Sequence, residues 1–388
     1  MTARVLIAGG GTGGHVFPSL ATAAAVRAVR ADLQVEFVGT ARGLEARLVP
    51  EHGWPLHIIE ALPLARGLSS QTLRIPLMLA RASGAITRLI RDRGVVAALC
   101  FGGYVAAPLV LAARRTRVPL VIHEQNAVPG LANRLASRWA AAVALSMDTP
   151  QARAGLAVTG GRLVVTGNPV RPGLGGLDRG RLREEALLAF DLDPGRRTLL
   201  VFGGSQGAQR INQAVVASAG LWAAPERLQI LHATGQSAHD AVAREWETAL
   251  ERDGRLRVRY VGFIDRMDLA YAAADLVLCR AGASSIAELT VMGLPSVLVP
   301  YPYAAADHQT ANACVLQDAG AAVVIPDGQL NADELVRTVD GLLADPGTLV
   351  RMAAAARGAG RPNAADALAR VLLSCALQSI QPESEPAP

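Results

Sequence analysis

Along most of the chain, short apolar runs alternate with longer stretches rich in Ala, Leu and Arg. Runs such as VVAAL and SVLVP are apolar at every position instead of every second one. That is the pattern of strands covered on both faces. Six runs in the first half, at 5–8, 34–38, 96–100, 120–123, 142–145 and 163–165, predict strands. Six more do so in the second half, at 199–202, 229–231, 258–261, 276–279, 296–299 and 322–325. Strands separated by helical stretches imply parallel sheets with crossover helices, an α/β fold.

The pattern repeats coarsely. VLIAGGGTGGH (5–15) and LLVFGGSQGAQ (199–209) are each a strand, a glycine-rich turn and a helix start, so each opens one Rossmann-like half. The halves part near GNPVRP (167–172), where two prolines flank Arg171, and a Gly-, Asp- and Arg-rich stretch (173–194) leads into the second. The expected organisation is a domain over 1–168 and a second over 169–375, the last helix free to pack back on the first domain. The Pro-, Glu- and Ser-rich end, 376–388, reads as a disordered tail.

Composition narrows the chemistry. The 388 residues suffice for two cores. Cys100, Cys279, Cys314 and Cys375 form no CxxC or Cys/His cluster, which argues against a zinc site or a disulfide scaffold. All 38 basic residues are Arg; without Lys, a Walker P-loop, a pyridoxal Schiff base and a Ser–Lys dyad are excluded. Residues 1–168 carry 18 Arg against 8 acids and residues 169–388 carry 20 against 25, so a basic half (+10) joins an acidic one (−5). The first half is therefore the one suited to an anionic partner. No signal peptide is visible at the start. The 19 residues 95–113 are uncharged, but Gly102, Gly103 and Pro108 divide them into strand, turn and helix start, against a membrane span.

The glycine turns carry the candidate chemistry. In GGGTGGH (9–15) five glycines can expose successive N–H groups at a helix N-terminus, an anion site needing no charged side chain. Gly9, Gly11 and Gly14 also match GxGxxG, yet the second strand ends in Gly39, Thr40, Ala41 and Arg42, without the acid that would bind an NAD ribose; Glu36 lies inside the strand. His15 opens the following helix, where a neutral imidazole can act as a general base, or can be merely structural. A second turn, Gly102, Gly103 and Tyr104, and the polar run HEQN (123–126) each follow a strand. In the second half GGSQGA (203–208) repeats the phosphate-type turn. RAGASSIAE (280–288) sets small residues and two hydroxyls at a helix start, with Glu288 one turn in, where a carboxylate suits a ribose diol or only the helix dipole. DLD (191–193) superficially matches a metal motif but sits in a charged linker without other acids nearby.

Seven segments in order, GGGTGGHVFP (9–18), FGGYVAAP (101–108), HEQNAVPGLAN (123–133), GNPVR (167–171), GGSQGA (203–208), CRAGASSIAE (279–288) and the polar run 307–312, resemble the MurG family of bacterial transferases. These add N-acetylglucosamine to lipid I to form lipid II. The resemblance spans nearly the whole chain and implies a GT-B fold, two Rossmann-like domains with parallel sheets facing across a cleft. It implies that the second domain holds UDP-GlcNAc, with Ser205 and the segment Ala283, Ser284, Ser285, Ile286, Ala287 and Glu288 on diphosphate and ribose. The main chain of Ile264 would meet the uracil. Arg171 and Gln309 would also face the donor, as would Thr12, Gly13, Gly14 and Asn126 from across the cleft. Gly10, Gly11, Gly102, Gly103 and Tyr104 would receive the lipid I diphosphate. His15 is the preferred base and Glu124 the reserve. No metal ligand and no cofactor is implied. The chain departs from the family at 300–306, rich in Tyr and Ala, and at His308, which leaves the sugar contact near Gln309 open by one position.

The stretch 66–93 holds six Arg and one acid, Asp92. On a helix, Ile75, Met78, Leu79 and Ala82 share a face edged by Arg74 and Arg81, which suits an anionic bilayer, or else the core. The expectation is a peripheral enzyme on the cytoplasmic face of the cell membrane, with UDP-GlcNAc and lipid I as ligands, cell-wall or division proteins as further partners and no nucleic acid. A UDP-GlcNAc 2-epimerase and an NAD-dependent oxidoreductase are the competing readings.

Overall fold

The structure is a computed structural model that describes residues 3–60, 75–204, 207–252 and 254–380. The chain forms two compact units, residues 1–172 with 362–388, and residues 173–361.

The first unit is built on a wholly parallel sheet. Its strands are β1 (Arg4–Ala8), β2 (Gln34–Gly39), β3 (Leu56–Ile58), β4 (Val95–Cys100), β5 (Leu120–Glu124), β6 (Ala142–Leu145) and β7 (Arg162–Val165). Their order is β3-β2-β1-β4-β5-β6-β7. The direction of winding reverses between β1 and β4, and in such sheets ligands collect beyond the strand C-termini at that reversal. β3 has no counterpart in the apolar pattern, because LHI is too short and too polar to mark a strand. One sheet face is covered by the helix Gly13–Val29 and the last helix, Ala364–Ile380, through Val16, Leu20, Leu368 and Leu372. The other is covered by the helices Ile75–Arg93 and Ala106–Thr116 through Ile86, Ile90 and Leu109.

The second unit has β8 (Arg197–Phe202), β9 (Leu228–Ala233), β10 (Arg257–Val261), β11 (Leu276–Cys279), β12 (Ser296–Leu298) and β13 (Ala322–Val324). All neighbours are parallel, in the order β10-β9-β8-β11-β12-β13. Its reversal point lies between β8 and β11, whose C-terminal ends carry the second-half glycine turn and the helix Ala283–Met292.

The boundaries move from those read in sequence. The first unit keeps the chain to Pro172 and takes in the chain from Pro362, with the last helix packed back on it, the placement the sequence reading left open. The apolar positions of the last helix explain why: Leu368, Ala369, Leu372, Leu373, Cys375 and Ala376 are buried in the first unit's core. That helix continues to Ile380, so the tail does not begin at Ala376; residues 381–388 lie outside the described ones. The uncharged stretch 95–113 divides into β4 and the start of the helix Ala106–Thr116, and no described helix is long and apolar enough to cross a membrane.

Candidate functional site

In the first unit the turn after β1 and the turn after β4 pack against each other. A Cβ on Gly103 would lie 3.2 Å from the Gly10 carbonyl oxygen, and one on Gly11 would lie 3.0 Å from the Tyr104 ring. Gly11, Gly102 and Gly103 all have φ near +76° to +98°, which only glycine adopts without strain. The His15 ring stands beside this second turn: Cβ atoms on Gly102 and Gly103 would come within 3.5 Å and 3.8 Å of it. Gly10, Gly11, His15, Gly102, Gly103 and Tyr104 are thus brought together. Thr12, the N-cap of the helix Gly13–Val29, makes no side-chain capping bond.

Glu45, which sequence reasoning missed, lies behind this constellation. Its buried carboxylate accepts from the Gly11 N–H (2.8 Å), the Thr40 N–H (3.0 Å) and the Thr40 hydroxyl (3.0 Å). The Thr40 hydroxyl also lies 3.3 Å from the Tyr104 hydroxyl. Gly10 and Gly11, expected on the lipid I diphosphate, sit directly against this carboxylate. Gly10 is buried, and the Gly11 amide is occupied by a carboxylate that would repel a phosphate. An isolated acid in GTARGLE (39–45) offers no motif by which to find it.

HEQN serves as a brace. His123 is fully buried, its Nε2–H donates to the Gly167 carbonyl (2.9 Å), and its ring packs on Phe101 at 5.1 Å. Burial pushes its pKa down to about 4, and the neighbouring His15 adds to the shift, so it is neutral near pH 7. Glu124 is also buried. Its Oε1 accepts from the N–H and Nδ2 of Asn126 (3.0 and 3.3 Å), and its Oε2 from the Gly130 N–H (3.1 Å) and Asn133 Nδ2 (2.8 Å). Four donors engage both oxygens, so Glu124, the expected reserve base, also anchors the loop carrying Asn126. Arg171 lies over the Phe17 ring at 4.3 Å.

In the second unit the turn after β8 has Gly204 (φ +99°) and Gly207 (φ +76°), and a Cβ on Gly207 would meet the Thr234 carbonyl at 2.5 Å. Ser205, expected on the donor diphosphate, lies outside the described residues. After β11, Gly282 starts the helix Ala283–Met292 without a side-chain cap, leaving that end to backbone amides and to Ser284 and Ser285. Ile286 is buried and Ala287 half-buried on the same helix. Glu288 is buried and accepts a 2.7 Å hydrogen bond from the Tyr271 hydroxyl, which fixes its orientation; sequence gave no sign of that partner. Asn312 holds the approach to the helix through Nδ2 to the Ala281 carbonyl (3.2 Å). Gln309 accepts from the Tyr301 N–H at 3.0 Å, so its oxygen braces the tyrosine-rich turn while its amide group remains the donor end. That turn strains Ala306 and Asp307 into positive φ. Ile264 is buried just past β10. In DLD, Asp191 pairs with Arg257 and Arg259, and Asp193 caps the Gly195 N–H at 2.8 Å.

Two parallel Rossmann-like units, each with glycine turns at the strand ends where the winding reverses, give the chain the GT-B architecture found among glycosyltransferases. The N-terminal domain of glycosyltransferase family 28 matches residues 5–145, and its C-terminal domain matches residues 198–368. A UDP-N-acetylglucosamine–N-acetylmuramyl-(pentapeptide) pyrophosphoryl-undecaprenol N-acetylglucosamine transferase of Nocardioides sp. is 46% identical over 97% of this chain and 99% of its own. A protein of the same name from Streptomyces coelicolor is 42% identical over 94% and 96%. Among solved structures, MurG of Acinetobacter baumannii superposes with a TM-score of 0.75 at 31% identity, covering 96% of this chain and all of that one. A putative UDP-N-acetylglucosamine 2-epimerase of Listeria monocytogenes, at 16% identity and TM-score 0.68, shares the fold. The chain belongs to glycosyltransferase family 28, in the MurG group that these relatives define.

Proposed function

We propose that this enzyme moves N-acetylglucosamine from UDP-GlcNAc to the C4 hydroxyl of the muramyl sugar of lipid I, inverting the anomeric carbon and giving lipid II for peptidoglycan synthesis. The observation that carries this reading is the 46% identity to such a transferase over 97% of the chain. Incubation with labelled UDP-GlcNAc and a lipid I analogue tests it. A lipid-linked disaccharide is the expected product; an epimerised sugar nucleotide, or no turnover, would overturn it.

The donor falls to the second unit. The uncapped start of the helix Ala283–Met292 offers amides and hydroxyls to the diphosphate, and the oriented Glu288 carboxylate accepts from the ribose diol. The main chain at Ile264 serves the uracil, and Gln309 the sugar. Ser205 joins them on the strength of its motif. Thr12, Gly13, Gly14, Asn126 and Arg171 are proposed as further donor contacts from the first unit. The acceptor falls to the first unit, at Gly102, Gly103 and Tyr104 beside His15. The His15 imidazole takes the C4 proton as that oxygen bonds to the anomeric carbon; the bond to the diphosphate oxygen breaks and UDP leaves with its electron pair. Each well-placed donor to that departing charge contributes roughly 3 kcal/mol to the transition state.

The acceptor is lipid-linked, and the first unit has a surface suited to an anionic bilayer on the cytoplasmic face. Leu131, Leu135 and Trp139 recur every fourth residue and are 70%, 50% and 44% exposed. Arg114 stacks on Trp139 at 4.7 Å, and Leu77 is 55% exposed on the helix Ile75–Arg93. The face read from sequence is revised: Ala82 is buried in the core, Ile75, Met78 and Leu79 are half-buried, and Arg74 lies outside the described residues. Flotation with anionic vesicles should fall for Leu79→Glu with Arg81→Glu, and fall further when Leu131→Glu and Leu135→Glu are added. Unchanged flotation would refute membrane docking through this face. Cell-wall or division proteins are natural neighbours of an enzyme so placed.

A further inference from the structure

Behind the glycine turn of the second unit runs a chain of buried polar side chains. Trp246 Nε1–H donates to His232 Nδ1 (3.0 Å), His232 Nε2–H donates to Asn212 Oδ1 (3.0 Å), and Asn212 Nδ2–H donates to the Thr234 carbonyl (2.8 Å). Trp246, His232 and Thr234 are fully buried and Asn212 nearly so. Each bond fixes the next group: the indole can only donate, so His232 must accept at Nδ1 and carry its proton on Nε2. Burial pushes the pKa of His232 down to about 3, so the ring keeps this single tautomer at working pH.

The chain ends on a residue that touches two separate segments. The Thr234 carbonyl is the atom on which Gly207 closes, near enough that any Cβ there would sit 2.5 Å away. On its other side, the Thr234 N–H donates to the Val261 carbonyl (2.9 Å), and its hydroxyl lies 3.2 Å from that oxygen and 3.3 Å from His239 Nδ1. Val261 ends β10, and the chain continues through Gly262, where an added Cβ would lie 3.4 Å from the His239 side chain, to Ile264. One residue therefore spaces the turn after β8 from the loop after β10. These are the segments that would hold the two ends of a nucleoside diphosphate, its phosphates and its base.

We propose that Thr234 is a positioning residue for the sugar-nucleotide donor, setting the distance between the phosphate turn at Gly207 and the base loop at Ile264. This deepens the donor site proposed above and rests on it. The hydroxyl is the part to remove, because the carbonyl and N–H survive any substitution and Val keeps the shape. Thr234→Val should raise the KM for UDP-GlcNAc roughly fivefold, about one hydrogen bond's worth of positioning. UDP should bind more weakly by a similar factor in calorimetry, while kcat at saturation and the KM for the lipid I analogue stay within twofold. Thr234→Ser, which restores the hydroxyl, should return the donor KM to that of the wild type. Glu288→Gln serves as the reference for the site itself. If Glu288→Gln weakens UDP-GlcNAc binding and Thr234→Val does not, the positioning role is refuted and the donor site stands. If neither changes donor binding, the donor site is misassigned and the inference falls with it. A Thr234→Val enzyme that loses thermal stability and kcat together, with no donor-specific change and no recovery in Thr234→Ser, would mark the network as structural only and also refute the proposal.

Discussion

At the end of β1 the Gly11 N–H donates to the buried Glu45 carboxylate; at the end of β8 Gly207 closes on a main-chain carbonyl held by a neutral Asn–His–Trp chain. The two turns read almost alike in sequence, a strand followed by glycines and a helix. What stands behind each turn separates them. A carboxylate 2.8 Å from an amide occupies that donor and places a negative charge where an anion would bind, whereas a neutral backing leaves the field of the helix start intact. That difference is what favours the turn in the second unit as the proposed phosphate cradle. In the first turn Gly10 and Gly11 pack against the 102–103 turn and Tyr104, which stand beside His15.

The largest expected effect breaks the comparison on the chemical side. His15→Ala should lower kcat by about 100-fold or more, the range of a lost general base, with UDP affinity unchanged within twofold. Turnover within a few-fold of wild type would remove His15 from that role. Glu45→Ala should destabilise the enzyme by about 3 kcal/mol in thermal unfolding, because the amides of Gly11 and Thr40 lose a charged acceptor in a buried place. UDP binding should be spared; if it weakened as much as turnover, the division of labour between the turns would be wrong. Gly207→Ala and Gly204→Ala sharpen the contrast further. Both positions need positive φ, but only Gly207 faces an atom at 2.5 Å, so its variant should lose several-fold more donor affinity than Gly204→Ala. Equal losses would mean that backbone strain alone matters. The smallest effect concerns pH. His123 and His232 have folded-state pKa values of about 4 and about 3, below the ordinary 6.5. The unfolded chain takes up their protons first, so their contribution is whole above pH 6.5 and is lost as pH falls towards 4 and then 3. Denaturant midpoints across that window should decline with acid, and less steeply in His232→Gln.

Strands covered on both faces wrote themselves plainly into the apolar runs, and so did the glycine turns at their ends, whereas the strand order that makes those ends switch points came from the fold. β3 escaped because three residues on a sheet edge need no apolar run. Individual roles were harder to read. Glu45 and Glu124 look alike as isolated acids near glycine turns, yet Glu45 is occupied by donors from Gly11 and Thr40 and Glu124 by donors at 126, 130 and 133 of its own motif. His123 and His15 are likewise only two histidines in polar motifs until burial makes one a brace. The pairing of Glu45 with Gly11 spans 34 residues, and a single sequence carries no trace of which donors will converge on such a side chain.

The last helix has a consequence for how the molecule is made. Leu368, Leu372 and Ala376 complete a core whose first strand begins at Arg4, so the first unit is sewn from both ends of the chain. The second unit is continuous from 173 to 361 and can close on itself while synthesis is still under way. The first must wait, one face of its sheet only partly covered by the helix Gly13–Val29, until the helix Ala364–Ile380 has been made. A chain stopped at Arg361 should show this directly, with rapid proteolysis confined to the first unit and a protected fragment from the second. Equal resistance in both would mean that the amino-terminal segment folds without its closing helix.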